Sequence, residues 1–306
     1  MALAEVYRKQ VALLLRVLPF VAEEDCFALK GGTAINLFWR DMPRLSVDVD
    51  LTYLPLEPRQ QSLAAIDAAM KRIAARIRRG IADAQVVETQ HEGAVIRLFV
   101  RAGDVQIKIE VTPVLRGCVF EPETRRVSSK VEEMFGFAEM RVVSFADLFA
   151  GKLVAALDRQ HPRDLFDVRV LLAKEGVDDA LRRAFVVYLL SHDRPMSEVL
   201  APTRIDISQE YKRGFRGMAD VPVHLHELID AREAMIAEVV SKMPREHRRF
   251  LISFEKGKPD WGLFGLPDAA ELPAVKWRQL NLDKLGAEKR AALVARLEEV
   301  LGEKTA

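Results

Sequence analysis

The chain has 306 residues, with 46 Lys and Arg against 45 Asp and Glu, and a formal net charge of +1. Apolar residues make up 49% and charged residues 30%, which is typical of a folded globular protein and excludes a disordered or fibrous one. The near-neutral balance excludes binding of nucleic acid by bulk positive charge, but it is compatible with a local basic groove. The length predicts two domains, or one domain with a large extension.

The sequence gives no indication of a secreted or membrane protein. Two cysteines, Cys26 and Cys118, are too few for a disulfide framework, so we expect reduced thiols. The most apolar stretch, residues 11–22, is interrupted by Arg16 and Pro19 and is shorter than the roughly 18 apolar residues of a membrane span. It also lacks a basic leader and a small-residue cleavage site. We therefore expect no membrane interaction and a cytoplasmic location.

Helices and strands alternate in the N-terminal part of the chain. Helical apolar spacing predicts helices over residues 2–18, 33–39 and 59–79. Short apolar or alternating runs predict strands over residues 27–30, 47–54, 86–89, 94–101 and 105–111. The Ala102-Gly103-Asp104 turn between the last two strands predicts a hairpin.

Helical patterns dominate after the last predicted strand. We expect a helix over residues 144–159 and another that begins at Pro162, a residue well suited to a first turn. Residues 255–280 are rich in Gly, Pro and Trp and are expected to form a structured loop region. The predicted fold class is therefore α+β: residues 1–140 form a mixed sheet with helices, and residues 141–306 form a mainly α-helical domain.

The segment Asp48-Val49-Asp50 is the first candidate for chemistry. Because side chains alternate along a strand, Asp48 and Asp50 point to the same side. Two like charges on one face repel each other unless water or a cation offsets the repulsion. Mg²⁺ prefers carboxylate oxygens and keeps positions open for phosphate, so it would do this well. A solvated strand face is the commoner explanation of a bare D-x-D motif.

Two further motifs give the aspartates a context. Gly31-Gly32-Thr33 follows a strand and opens a helix, a turn whose backbone N–H groups and Thr33 hydroxyl can bind phosphate. The alternative is an ordinary Gly-rich turn with Thr33 as a helix cap. Lys108 and Glu110 lie on a later strand, where Glu110 could bring a third carboxylate beside the first two. The alternative there is an exposed Lys/Glu pattern, common in hairpins. These three motifs in this order are a more specific indication of function than any one of them alone.

These residues carry a resemblance to a known family. The order of a Gly-Gly-Thr turn, a D-x-D strand and a later acidic strand is similar to the polymerase-β-like nucleotidyltransferases. Two longer blocks resemble the AbiEii/AbiGii toxin family. The first is Lys30-Gly-Gly-Thr-Ala-Ile-Asn-Leu-Phe followed by Arg44-x-Ser-x-Asp-x-Asp-Leu, and the second is Gly151-Lys152-Leu153-x-Ala-x-x-x-Arg159-x-x-Pro-Arg163-Asp164-Leu165-Phe166-Asp167. The resemblance covers roughly residues 25–175.

The resemblance implies a role for each matching residue. The first 140 residues would form a polymerase-β-like nucleotidyltransferase domain with an NTP as substrate. Mg²⁺ or Mn²⁺ would be held by Asp48, Asp50 and Glu110. The nucleotide would be bound by Gly31, Gly32, Thr33, Ser46, Lys108 and Lys152. The residues implied as catalytic are Asp48, Asp50, Lys152 and Asp164.

The roles in the second block stay open on the sequence alone. Lys152 lies on a helix, where an isolated lysine is more often a surface residue that lays its stem on apolar side chains. Asp164 and Asp167 are three residues apart and share a helix face, and Arg163 with Asp167 could form a surface ion pair. The resemblance favours Asp164 over Asp167, as base for the acceptor hydroxyl or as the residue that orients Lys152.

The function implied by the resemblance is that of a toxin in a bacterial toxin–antitoxin or abortive-infection system. It would transfer an NMP to an RNA acceptor, most naturally the 3′ end of a tRNA, and so block translation. The helical domain would complete the active site and bind the acceptor, and an antitoxin would be the protein partner. Two alternatives remain: an enzyme of the same fold that modifies a small molecule or a protein, and a non-catalytic nucleotide-binding module.

Overall fold

The structure, a computed structural model, describes residues 2–303. The chain forms two compact units. The first comprises the described residues up to Ser144 together with Met218–Val221. The second comprises Phe145–Gly217 and the described residues from Pro222 onward.

Within residues 2–303, seven strands form one mixed sheet, which belongs to the first unit. They are β1 (Phe27–Lys30), β2 (Asp48–Tyr53), β3 (Ala84–His91), β4 (Ala94–Ala102), β5 (Val105–Arg116), β6 (Glu123–Arg126) and β7 (Glu139–Val142). Their order across the sheet is β3-β4-β5-β2-β1-β7-β6. The pairs β2–β5 and β1–β7 are parallel, and the other neighbours are antiparallel.

Alternation of buried and polar residues explains the central strands. Val49 and Leu51 in β2 and Ile109 and Val111 in β5 are fully buried, and the polar residues between them lie on the opposite face. Sequence reasoning missed β6 and β7. β6 reads Glu-Thr-Arg-Arg and lies at the edge of the sheet, so it has no apolar alternation to reveal it.

The helices of the first unit are α1 (Ala2–Ala22), α2 (Gly31–Thr33), α3 (Arg59–Gly80) and α4 (Ser129–Phe135), and α2 continues as a π-helical segment, Ala34–Trp39. Both α1 and α3 pack against the sheet and against each other. The apolar stripe of α1, which includes Val11, Leu14 and Leu18, is fully buried and explains this packing. The helix continues through Pro19, beyond its predicted end.

A short segment, Met218–Val221, joins the first unit from far along the chain. Ala219 forms an antiparallel bridge with Arg44, and the Leu45 N–H donates to the Met218 carbonyl at 3.1 Å. Lys130 forms an ion pair with Asp220 at 2.8 Å. These bonds hold the residues that lead into β2.

The described part of the second unit contains helices but no strands. They are α5 (Phe145–Arg159), α6 (Pro162–Lys174), α7 (Asp179–Leu190), α8 (Met196–Leu200), α9 (Ser208–Gly214), α10 (Leu225–Ile236) with a π-helical extension (Ala237–Ser241), α11 (Arg245–Glu255), α12 (Trp261–Phe264), a 3₁₀ turn (Pro267–Glu271), α13 (Pro273–Asp283) and α14 (Ala287–Leu301). An α+β protein with a mixed sheet and a helical C-terminal part confirms the predicted fold class.

The expectation of a loop over residues 255–280 is wrong, because α12, the 3₁₀ turn and most of α13 lie there. Pro267 and Pro273 occupy first-turn positions, where proline starts a helix instead of breaking it. Gly265 has a φ of +71° and ends α12. Among the described residues, no helix combines the length and the apolar character that crossing a bilayer would need.

Candidate active site

Asp48 and Asp50 lie on one face of β2, as the alternation predicts. Val49 between them is fully buried on the other face, which sets the direction of both carboxylates. The Asp48 side chain is 49% exposed. Burial, and next the negative charge of Asp48, raise the pKa of Asp50 above its usual value, although Lys108 and Lys30 oppose the shift. A bound cation would relieve this repulsion.

The two glycines after β1 allow other groups to approach the backbone closely. Gly31 has a φ of +76°, and a Cβ there would lie 2.6 Å from Asp50 Oδ2. A Cβ on Gly32 would lie 2.7 Å from Ser46 Oγ and 2.9 Å from Arg44 Nη2. The turn therefore brings Asp50, Ser46 and a guanidinium against bare backbone, where a side chain on either glycine would obstruct them.

Thr33 joins this turn to the aspartate strand. Its fully buried hydroxyl donates to the backbone carbonyl of Asp48 and lies 3.2 Å from Ser46 Oγ. The single hydroxyl proton is therefore used inside the protein, and only the acceptor capacity of the oxygen is left for other groups. The prediction that Thr33 bonds a phosphate stays a prediction; what the structure shows is a link between turn and strand.

Glu110 and Lys108 lie beside the aspartates on β5. The parallel register places Lys108 opposite Asp48 and Glu110 opposite Asp50. The Lys108 ammonium is 2.8 Å from Glu110 Oε2 and 3.9 Å from Asp48 Oδ2. Burial acts to raise the pKa of Glu110, but hydrogen bonds from Lys108 and Arg97 outweigh it and lower that pKa. Glu110 therefore stays ionised and held by cations.

Two further cations, Lys30 and Arg97, lie on the same sheet face as Asp48, Asp50, Lys108 and Glu110, and the sequence did not reveal them. These six residues are called the charged face of the sheet. Lys30 at the end of β1 pairs in register with Asp50, and Arg97 on β4 pairs with Glu110. Burial lowers the pKa of Lys30, and the charge of Asp50 opposes that shift. The Arg97 position was recoverable, because counting back from the predicted hairpin turn places it across from Glu110. The Lys30 position needs the β1–β2 pairing, which is not local.

Asn36 and Arg44 hold the turn and the start of β2 in place. Both are buried. The Asn36 side-chain amide donates to the Gly32 carbonyl at 2.8 Å, and its carbonyl oxygen accepts from the Arg44 backbone N–H at 3.3 Å. The Arg44 guanidinium donates to the Leu45 carbonyl at 2.9 Å. The sequence places Arg44 and Asn36 only within the first matching motif block, and nothing in the local pattern assigns either of them this structural role.

The remaining predicted residues, Lys152 on α5 and Asp164 on α6, meet inside the second unit. The Lys152 ammonium is 2.7 Å from Asp164 Oδ1 and 3.1 Å from Asp167 Oδ2, and the three side chains are at most 8% exposed. Lys152 is therefore not a surface lysine. Asp167 pairs with Lys152, so the alternative of a surface pair with Arg163 is not what the structure shows.

Both carboxylate oxygens of Asp164 accept hydrogen bonds from cationic side chains. Arg159 donates to both of its carboxylate oxygens, at 2.6 and 3.0 Å, in addition to the bond from Lys152. Burial acts to raise the pKa of Asp164, but the charges of Lys152 and Arg159 hold it well below the usual range. A carboxylate with so low a pKa is a poor proton acceptor at neutral pH.

The donor set on β2 suits a hard divalent cation. Asp48 and Asp50 offer carboxylate oxygens on one face, and after burial the charge of Asp48 is the next cause of the raised pKa of Asp50. The absent Cβ of Gly31 lets the Asp50 carboxylate lie against the turn. Among residues 2–303, no three Asp, Glu, His or Cys side chains are arranged as a metal-binding group. The two aspartates fit a metal, while Glu110 is turned toward Arg97 and Lys108.

The chain is similar to known proteins at the level of family and fold. The family described as nucleotidyl transferase AbiEii toxin, type IV toxin–antitoxin system, matches residues 12–279. MenT4, a nucleotidyltransferase toxin from Mycobacterium tuberculosis H37Rv, has a similar fold, with a TM-score of 0.58 and 17% identity over 97% of this chain and 96% of MenT4.

A second solved structure and the curated proteins add little. Terminal uridylyl transferase 4 from Trypanosoma brucei with bound dUTP aligns over 98% of this chain and 97% of its own, at 13% identity with a TM-score of only 0.31. That likeness is too weak to support an argument. The search of curated proteins found no match.

Proposed function

This chain belongs to the AbiEii nucleotidyltransferase toxin family of type IV toxin–antitoxin systems, and from that premise we propose that it transfers an NMP from an NTP to the 3′ end of a tRNA. The family gives the nucleotidyltransferase activity, the NTP substrate and an antitoxin partner. The tRNA acceptor and the block of translation are our proposal. The observation that supports it most is the Asp48–Asp50 pair beside the Gly31-Gly32 turn.

We assign binding of Mg²⁺ or Mn²⁺ to Asp48 and Asp50. A divalent cation bound there would activate the attacking hydroxyl and neutralise the charge of the departing pyrophosphate. The support for this assignment is the chemistry of the donors: two ionisable carboxylates on one strand face, one of them with a raised pKa. The predicted third ligand, Glu110, stays a prediction at this point.

The triphosphate site is assigned to the groups around the glycine turn and to Lys108. Gly31 and Gly32 carry no side chain that would cover the turn, and Ser46 Oγ lies close to Gly32. Backbone amides, a hydroxyl and an ammonium are the donors that phosphate oxygens accept from. With 28% of its side chain exposed, Lys108 is open to a ligand.

Lys152 and Asp164 receive different roles. The family resemblance implies that Lys152 contacts the nucleotide, either at the triphosphate or on the side of the base. Asp164 accepts bonds from Lys152 and Arg159 and has a strongly lowered pKa, which argues against the alternative of a general base. We therefore propose that Asp164 positions Lys152, with Asp167 as a second acceptor.

The reaction would disable the acceptor. When the 3′ hydroxyl of a tRNA attacks the α-phosphate and pyrophosphate leaves, that hydroxyl becomes part of a phosphodiester and is no longer available for the attachment of an amino acid. Aminoacylation, and with it translation, would then stop until the nucleotide is removed. Under the proposal the helical unit binds this acceptor, and the antitoxin prevents the damage.

The test is transfer of label to RNA. The full chain is incubated with Mg²⁺, total tRNA and each of the four NTPs labelled at the α-phosphate, beside the Asp48→Asn variant. The Asp83→Asn variant is the matched control, since Asp83 is an exposed aspartate in the same unit. We expect label on tRNA with the wild type and Asp83→Asn, and none with Asp48→Asn. Absence of label on any RNA with all four NTPs would contradict the proposal, and label on a protein or small molecule would favour the alternative acceptors.

A further inference from the structure

Both carboxylate oxygens of Glu110 are already engaged by cations. Oε1 accepts from the guanidinium of Arg97, with Nε at 3.0 Å and a second, shorter bond from Nη2. Oε2 accepts from the ammonium of Lys108 at 2.8 Å. A carboxylate that would bind a metal as third ligand must give up at least one of these charge-assisted bonds.

The strand register places the three side chains of this arrangement next to one another on one face of the sheet. Glu110 stands opposite Arg97 on the β4 side and opposite Asp50 on the β2 side. Lys108, two residues earlier on the same face of β5, stands opposite Asp48. Its ammonium lies 2.8 Å from Glu110 and 3.9 Å from Asp48, so it is shared between the two carboxylates.

We propose that, among residues 2–303, Asp48 and Asp50 are the only carboxylates that bind the metal, and that Glu110 is a positioning residue for Lys108. Arg97 holds Glu110, Glu110 holds Lys108, and Lys108 presents a fixed positive charge beside Asp48 for the triphosphate. This inference rests on the proposed function, because it describes the same site. Under this inference Glu110 is not a third metal ligand, and the Lys108 ammonium supplies part of the positive charge at the site.

The proposal makes opposite predictions for neighbouring residues. Loss of Asp48 or Asp50 should greatly weaken metal binding. Loss of the Glu110 charge should leave metal binding nearly unchanged and weaken nucleotide binding, since Lys108 loses its anchor. Loss of the Lys108 ammonium should strengthen metal binding without nucleotide, because a positive charge beside Asp48 is removed.

The experiment measures Mn²⁺ binding to the full chain by the loss of the free Mn²⁺ signal in electron paramagnetic resonance, without nucleotide. We expect Asp48→Asn and Asp50→Asn to weaken binding by about 100-fold or more, the upper end of the roughly 10–100-fold that the loss of a group supporting a ligand costs. Glu110→Gln should stay within about threefold of the wild type, and Lys108→Met should bind several-fold more tightly. Glu110→Gln that loses Mn²⁺ as Asp48→Asn does, or a wild type that binds no Mn²⁺, would overturn the proposal.

Arg97→Met is the second variant, and it separates the two roles even if Glu110→Gln folds poorly. If Glu110 were a metal ligand, freeing it from Arg97 would tighten Mn²⁺ binding; as a positioning residue it should leave that binding unchanged. Under the proposal the Kd for the NTP, measured by calorimetry without an acceptor, rises in Glu110→Gln and Lys108→Met, with partial rescue in Lys108→Arg. An unchanged Kd in Lys108→Met would contradict it.

The result of these binding experiments is independent of the result of the labelling experiment that tests the proposed function. Mn²⁺ binding and NTP affinity do not depend on the acceptor, so the expected pattern can hold while no label reaches tRNA. Conversely, label can reach tRNA while Glu110→Gln loses the metal, and then only this inference fails.

Discussion

The charged face of the sheet and the buried cluster of Lys152, Asp164 and Asp167 in the helical unit contain the same residue types but differ in exposure to solvent. On the sheet, Asp48, Lys108 and Glu110 have side chains that are 23–49% exposed. In the helical unit, Lys152 and Asp164 are at most 8% exposed. Solvent screens the first set, so its charges are available to a ligand. The second set has little solvent, so each charge depends on its partners.

The two aspartates with shifted pKa values show the difference most clearly. Burial and the like charge of Asp48 raise the pKa of Asp50, whereas Lys152 and Arg159 overcome burial and lower the pKa of Asp164. Burial and a neighbouring like charge therefore dominate at Asp50, whereas cationic partners dominate at Asp164. The sheet face is the site to which we assign the metal, and the helical cluster is held together by its own ion pairs.

The largest expected effect is on catalysis by the sheet face. Asp48→Asn should lower the transfer rate by about 10³-fold, since metal-ion charge stabilisation contributes several kcal/mol. Because Asp48 is half exposed, the free energy of unfolding should change by no more than about 0.5 kcal/mol. Label transfer and urea unfolding are measured together, with Asp83→Asn as control. A large loss of stability would show that Asp48 has a structural role. It would contradict the stated difference between the sheet face and the helical cluster.

In the helical cluster the main effect should be on stability. Asp164→Ala leaves Lys152 buried with a weaker partner set, and we expect a loss of about 3–5 kcal/mol in the free energy of unfolding. The matched control is Asp179→Ala, which removes an exposed ion pair with Arg183 and should cost less than about 1 kcal/mol. Urea unfolding measures both. Equal losses in the two variants would show that the cluster is not a buried unit.

The stability gained from Asp164 should disappear in acid. Its folded-state pKa lies below the unfolded value of about 3.9, so the stabilisation is complete above that value and is lost as the pH falls toward the folded pKa. The stability difference between wild type and Asp164→Ala should be constant from pH 7 to about pH 5 and shrink below about pH 4. Urea unfolding at several pH values measures it, and a difference independent of pH would contradict the ion-pair explanation.

Ionisation of Asp50 should have the opposite effect on stability from ionisation of Asp164. Its folded-state pKa is raised, so ionisation opposes folding at neutral pH. Asp50→Asn should therefore stabilise the protein at pH 7 by about 0.5–2 kcal/mol while removing transfer activity. The gain should fade as the pH falls toward the unfolded value of about 3.9, where the wild-type carboxyl becomes protonated. Thermal unfolding at pH 7 and pH 4 tests this; destabilisation at pH 7 would mean that Asp50 is already well compensated.

The smallest effect is expected at the link between turn and strand. Thr33→Val removes the bond to the Asp48 carbonyl and should lower the free energy of unfolding by about 1 kcal/mol. Thr33→Ser keeps the hydroxyl and is the control. If Thr33 also binds phosphate, Thr33→Val will raise the KM for the NTP far more than Thr33→Ser does. A KM that moves no more than stability would limit Thr33 to its structural link.

Much of the first unit was predictable because its signals are local. The alternation in β2, the glycine turn and the helix α3 depend on residues that are near in sequence. The edge strand β6 and the helices of residues 255–280 were not recognised, since a polar edge strand has no alternation and prolines can start helices as well as break them.

The sequence by itself determined which side chains share a strand face, because a period of two is a property of the extended backbone. It thereby placed Asp48 with Asp50 and Lys108 with Glu110. Only the tertiary structure decided the partners: Arg97 on Glu110, Lys30 opposite Asp50, and Lys152 buried between Asp164 and Asp167. Strand pairing and helix packing join residues that are distant in the chain, and they decide which charges are compensated and which are left for a ligand.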